Sequence, residues 1–208
     1  GKTGVFAQRL EAGNPIGSFY GPIFLGIQGG EEVYRKTLPG DDGELGTADD
    51  FTIPTPFLGE ADRDYIGNAV PDFTYGLNLD LQYRDFDVSA FFRGSQGADV
   101  FNNTALEFTT KSNLGQGINV LEETLNDGTN ENHVPVYSSR WIEDASFFRL
   151  DRLTIGYNVP SGITSYLRNA RIYASGRNLF VLTPYSGYDP EVNTNFTGQG
   201  LGFRTLAR

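Results

Sequence analysis

The chain has 208 residues, 26 acids against 16 Lys and Arg, a formal net charge of −10, no Cys and 26 Gly. Such an acidic balance argues against a phosphate-backbone partner, and the lack of Cys excludes a disulfide framework and any thiolate metal site. No run of 18 apolar residues occurs, which excludes a transmembrane helix but not a barrel, whose strands show only alternation.

Residues 16–27 are Gly-rich and interrupted by Pro22, so they read as a first strand with a bulge. A long polar connection over 28–72 follows. Between Glu31 and Asp64 it holds ten acids against Arg35, Lys36 and Arg63, a net −7. Within it, Asp41, Asp42, Glu44, Asp49 and Asp50 offer closely spaced oxygen ligands among glycines, which suits Ca²⁺. The spacing lacks the D-x-D-x-D-G order and a terminal bidentate Glu. A solvated, mobile acidic loop is therefore the preferred reading, with any Ca²⁺ binding weak.

Phe73–Tyr83 alternates without an error. Phe73, Tyr75, Leu77, Leu79, Leu81 and Tyr83 take one face; Thr74, Gly76, Asn78, Asp80 and Gln82 take the other. After Arg84-Asp85 the pattern restarts over 86–94, with Phe86, Val88, Ala90 and Phe92 opposite Asp87, Ser89 and Arg93. This predicts a β-hairpin with a very short turn. Ten steps at roughly 3.3 Å, tilted by about 40°, span roughly 25 Å, the height of the lipid-facing band of an outer-membrane barrel. The aromatics at both ends of the apolar face sit where interfacial girdles sit.

Residues 95–146 form a second long polar connection. It carries the lone histidine, His133, in the run Asn130-Glu131-Asn132-His133, which reads as a solvated loop residue. No G-x-S-x-G elbow accompanies it, so a Ser-His-Asp triad finds no support. Phe147–Val159 is the fourth strand. Leu153, Ile155, Tyr157 and Val159 share a face, but Phe148 and Leu150 are out of phase with them, which predicts a bulge near Asp151. Ala170–Leu182 is the fifth, with Ile172, Ala174, Phe180 and Leu182 opposite Arg171, Tyr173, Ser175 and Arg177. Gly198-Gln199-Gly200-Leu201-Gly202 does not join a strand to a helix, so it reads as a loop rather than a phosphate cradle.

The connections divide by length. Arg84-Asp85 and residues 160–169 are short; 28–72, 95–146 and 183 onward are long and polar, the asymmetry of a barrel with extracellular loops. Loop aromatics (Phe101, Phe108, Tyr137, Phe147 and Phe196 among them) are expected mainly to pack within the loops. Trp141, Tyr185 and Tyr188 are the candidates for substrate or partner contact.

Several words of the sequence point further. Gly13-Asn14-Pro15-Ile16-Gly17-Ser18-Phe19-Tyr20-Gly21, Ile66-Gly67-Asn68, Pro71-Asp72-Phe73-Thr74-Tyr75-Gly76 and Phe92-Arg93-Gly94-Ser95-Gln96-Gly97 occur in that order. They are followed by Arg140-Trp141-Ile142-Glu143-Asp144-Ala145-Ser146-Phe147-Phe148-Arg149-Leu150, Leu153-Thr154-Ile155-Gly156-Tyr157, Ser175-Gly176-Arg177-Asn178-Leu179-Phe180 and Tyr185-Ser186-Gly187-Tyr188-Asp189-Pro190-Glu191-Val192. Together they resemble the C-terminal part of SusC/RagA-type TonB-dependent outer-membrane receptors. The resemblance implies a large plugged barrel in the outer membrane of a Gram-negative bacterium, importing glycans or peptides with energy from TonB under a SusD-like surface lipoprotein.

The expectation is thus an all-β chain: residues 1–208 as an antiparallel transmembrane β-barrel segment with long extracellular loops and short periplasmic turns, facing outer-membrane lipid, without catalysis. A chain running from Gly1 to an unfinished pattern at Arg208 is expected to be part of a longer polypeptide, with plug and closing strand outside it. The alternative is a soluble secreted β-sandwich that binds carbohydrate, with or without Ca²⁺.

Overall fold

A computed structural model describes residues 7–59, 62–160 and 170–191. Contacts divide the chain into two units: Pro71–Ala98 with Ala145–Tyr185, and Gly1–Val70 with Asp99–Asp144 and Ser186–Arg208. The boundary follows the sequence pattern, because the alternating segments make the first unit and the long connections make the second.

The first unit is one antiparallel sheet. Its strands are β6 (Phe73–Tyr83), β7 (Phe86–Gln96), β10 (Phe147–Val159) and β11 (Ala170–Leu182), in the order β11-β10-β7-β6. Register lines the expected faces up across all four strands. Leu79, Ala90 and Leu153 with Gly176, then Leu81, Val88, Ile155 and Ala174, form rows on one face. Asp80, Ser89, Thr154 and Ser175 form a row on the other. Aromatic rings gather at both ends of the apolar face. Phe148 stacks on Phe92 at 5.5 Å and lies 6.5 Å from Tyr75 and 6.4 Å from Phe180, while Phe86 meets Tyr157 at 4.7 Å at the opposite end.

Tyr83 pairs with Phe86, so Arg84-Asp85 is a two-residue turn, and Arg84 takes the positive φ of 52° that such turns require. The Asp85 carbonyl accepts the Asn158 amide at 2.7 Å, which ties the turn to β10. The expected bulge is present. Between Leu150 and Arg152 the register slips against β7 by one residue, which returns Leu150 and Leu153 to the same face. All long connections leave from one end of the sheet, where Phe73 pairs with Gln96 and Phe148 with both Gly94 and Leu182. The connection over 161–169, like Glu60, Phe196 and the glycines of 198–202, lies outside the described residues.

The second unit corrects two expectations. The segment 16–27 is two strands, β1 (Ser18–Pro22) and β2 (Phe24–Gln28), and neither joins the sheet of the first unit. Pro22 has no N–H to continue a ladder, so the chain changes partner there. β1 pairs with β5 (Arg63–Asn68), and β2 with β3 (Glu31–Leu38), which in turn pairs with β4 (Phe51–Thr55). Residues 28–72 are therefore largely folded rather than a plain loop. Within 95–146, β8 (Asp99–Phe101) pairs with β9 (Ile142–Asp144), and α1 (Asn103–Phe108) is capped by the Asn102 side chain, which accepts the Ala105 amide at 2.9 Å. The core of this unit is Phe19, Phe101, Ala105, Leu106, Tyr137 and Trp141.

Candidate functional site

The second unit contains a polar cleft of about 690 Å³, lined chiefly by Glu31, Glu32, Tyr34, Asn130, Asn132 and His133. The tight β2–β3 turn builds one side. Gly29 and Gly30 both have positive φ, and the Gly30 carbonyl accepts the Asn130 amide at 2.8 Å. A Cβ on Gly30 would meet the end of the Asn130 side chain, which can turn aside, so it is the positive φ that calls for glycine.

Behind the cleft sits a buried charge network. The Glu32 side chain is fully shielded; it accepts from Arg140 Nη1 at 2.6 Å, from the Val136 amide at 3.3 Å and from the Tyr34 hydroxyl. Burial and then the Glu32 charge push the Tyr34 phenol well above its ordinary range. Arg140 lies over the rings of Trp141 at 4.6 Å and Phe24 at 5.3 Å, and its other nitrogen is 3.5 Å from Asp127. His133 places Nδ1 2.9 Å from Glu31 and Nε2 3.6 Å from Glu32. The His133 and Asn130 hydrogen bonds hold the Glu31 carboxyl below the usual carboxylate range. His133 is only 8% exposed, which overturns the solvated-loop reading. Its partners are 102 residues away in sequence, so nothing local signals the burial.

Burial would raise the Asp127 carboxyl, but the Thr129 hydroxyl and amide and Lys111 outweigh it and lower its pKa to about 2. The folded value lies below the unfolded value of about 3.9. Its contribution, of order 2 kcal/mol, is therefore present above pH about 4 and lost as pH falls toward about 2. Acid titration followed by hydrogen exchange over 111–140 should show this loss in the native receptor and not in Asp127→Asn, which starts from the weakened state.

The aromatic candidates separate. Trp141 is buried, donating its indole N–H to the Val136 carbonyl at 3.0 Å, and Tyr185 is buried in the sheet unit. Both serve packing as placed, as do Phe101, Tyr137 and Phe147, which are also buried. Tyr188 is 91% exposed and is the one of the three whose ring is open to solvent.

The acidic loop also spends its carboxylates locally. Asp42 accepts the Glu44 amide at 2.9 Å, Asp50 the Gly46 amide at 2.7 Å, and Asp49 the Thr47 hydroxyl at 2.7 Å and the Asp42 amide at 3.3 Å. These bonds, that from Thr47 foremost, hold the Asp49 carboxyl below its ordinary range. The loop is wound into turns rather than extended, because capped amides offset the repulsion expected of bare acids. Among the described residues no three acids or histidines are grouped to hold a metal, so Asp41, Asp42, Glu44, Asp49 and Asp50 are not brought onto one point.

No family model matches the chain. It is 37% identical over 204 residues to TonB-dependent receptor P3 of Formosa agariphila, covering 91% of this chain and 20% of that protein. It is 27% identical over 142 residues to TonB-dependent receptor SusC of Bacteroides thetaiotaomicron, covering 59% of this chain and 13% of SusC. The RagAB peptide transporter matches with a TM-score of 0.69 at 24% identity, covering 83% of this chain and 20% of that one. The RagAB peptide importer in its closed-closed state matches with a TM-score of 0.67 at 25% identity. The chain thus spans a fifth or less of the length of these relatives. The alternation, the four-strand register and the similarity over nine-tenths of its length agree, and the chain belongs to the TonB-dependent receptors of the SusC/RagA type, its sheet a segment of their antiparallel β-barrel.

Proposed function

We propose that residues 1–208 supply wall strands and extracellular loops to the C-terminal part of an outer-membrane receptor that imports glycans or oligopeptides into a Gram-negative cell without catalysing a reaction. TonB supplies energy through a region N-terminal to this chain, and a SusD-like surface lipoprotein caps the loops. The observation that carries this reading is the sheet face made of Leu79, Leu81, Val88, Ala90, Leu153 and Ile155 between two aromatic ends. Such a face suits outer-membrane lipid, and the polar opposite face suits a water-filled or plugged lumen. Relatives named as TonB-dependent receptors, and a fold shared with a peptide transporter, support import. The secreted-sandwich alternative draws no comparable support. In the loops, the cleft around Glu31, Asn130 and Asn132 and the exposed ring of Tyr188 are the surfaces for hydroxyl- and amide-rich substrates.

Single cysteines in the full-length receptor test the placement in whole cells. Cys at Asn78 should react with an aqueous maleimide, whereas Cys at Leu79 should react only with a lipid-soluble one. Equal aqueous labelling of both positions would remove the barrel reading. In the same cells, uptake of labelled glycans or oligopeptides should stop when TonB is deleted.

A further inference from the structure

The inner face of the sheet holds more cations than its neighbours neutralise. Arg93 is paired with Asp151 at 2.9 Å, and Arg171 with Asp87, where its Nε lies 3.1 Å from the carboxylate. Register sets Arg152 directly opposite Arg177, in a row completed by Phe91 and Asn78. Both of these arginines are exposed, and neither has an acidic partner among the described residues. Like charges directly opposed across a strand pair are destabilising, and this sheet supplies an acid to each of Arg93 and Arg171. The bulge at Asp151 contributes to the arrangement. It turns the acid toward Arg93 and advances Arg152 into the row of Arg177.

We propose that Arg152 and Arg177 form an oxyanion-binding station on the inner wall of the barrel, recognising the carboxylate or sulfate groups of an acidic substrate as it passes. Guanidinium forks match such groups in a bidentate fashion, and two of them side by side favour an oxyanion over a neutral hydroxyl. Phe91 adds an aromatic surface, and Asn78 a hydrogen-bonding group, to the same row. The reading rests on the barrel placement proposed above, because only there does this face line a lumen.

The test uses the purified full-length receptor in detergent, with phenylglyoxal adducts quantified by peptide mass spectrometry. Arg171, held by Asp87, is the internal reference. Arg152 and Arg177 should be modified several-fold faster than Arg171, and both inorganic sulfate and an oligogalacturonate should slow them several-fold. A neutral malto-oligosaccharide of the same length should not. An Arg152→Gln/Arg177→Gln variant that keeps its heat-modifiable barrel migration should bind oligogalacturonate several-fold more weakly by calorimetry. Absence of anion protection would overturn the station. So would pre-existing protection without added anion, which would assign the pair to an acid elsewhere in the same receptor. Failure of the barrel placement itself would be seen separately, as equal aqueous labelling at positions 78 and 79.

Discussion

Replacing Glu32 with alanine should cost the loop unit about 3–5 kcal/mol, the range for removing one partner of a buried ion pair. The Glu32 side chain is wholly shielded from solvent, and Arg140, Tyr34 and the Val136 amide all direct donors at it. Truncation removes the Glu32 acceptor from the Arg140 guanidinium and the Tyr34 phenol, both of them largely buried. Glu31→Ala is the control. Glu31 is half exposed, so solvent screens its pairing with His133 and Asn130 and its removal should matter far less. Hydrogen exchange over 31–38 and 130–141 in the full-length receptor should show strong deprotection for Glu32→Ala and little for Glu31→Ala. Similar behaviour of the two variants would show that the network contributes no more than a surface pair. Glu32→Gln should fall between, since it keeps an acceptor for the Tyr34 hydroxyl but leaves Arg140 to pair with Asp127, at 3.5 Å.

Arginine at Leu79 should destabilise the barrel by about 2–4 kcal/mol in bilayers, and arginine at Asn78 by far less. Leu79 lies in the row with Ala90 and Leu153, midway between the aromatic clusters, where a cation faces hydrocarbon. Asn78 lies one residue away on the opposite face, in the row of Arg152 and Arg177. Denaturant titrations of full-length receptor refolded into lipid vesicles measure the difference. Equal costs would place both positions in one environment and dismiss the two-faced wall.

The wall was legible because its information is local. A strand buried on one face must alternate, so Phe73–Tyr83, Phe147–Val159 and Ala170–Leu182 show their limits directly in sequence. The bulge at Asp151 was legible too, since one added residue breaks the alternation between Leu150 and Leu153. A second irregularity was not. Between Arg177 and Phe180, β11 takes three steps where β10 takes two, with Asn178 at φ 50°. Three steps carry an inner residue to the outer face just as regular alternation does, so the pattern gives no sign of it. Even so, this register decides that Arg177 meets Arg152.

In the second unit the sequence determined little beyond acidity and turn positions. Glu31-Glu32 opens a strand that alternation does not reveal, because its partners lie outside the strand: Arg140 is 108 residues away and His133 is 102. A charge is stable in a shielded place only when an opposite charge comes to it, and which one comes is fixed by the packing of β3 against residues 127–141. The same reason made His133 look solvated and Trp141 look available for contact. Their polar or mobile sequence neighbours describe the chain before it folds, whereas burial depends on which distant segments pack over them. The period-two pattern therefore set the barrel strands and their two faces, and tertiary structure alone set the buried ion pairs, the cleft and the opposed arginines.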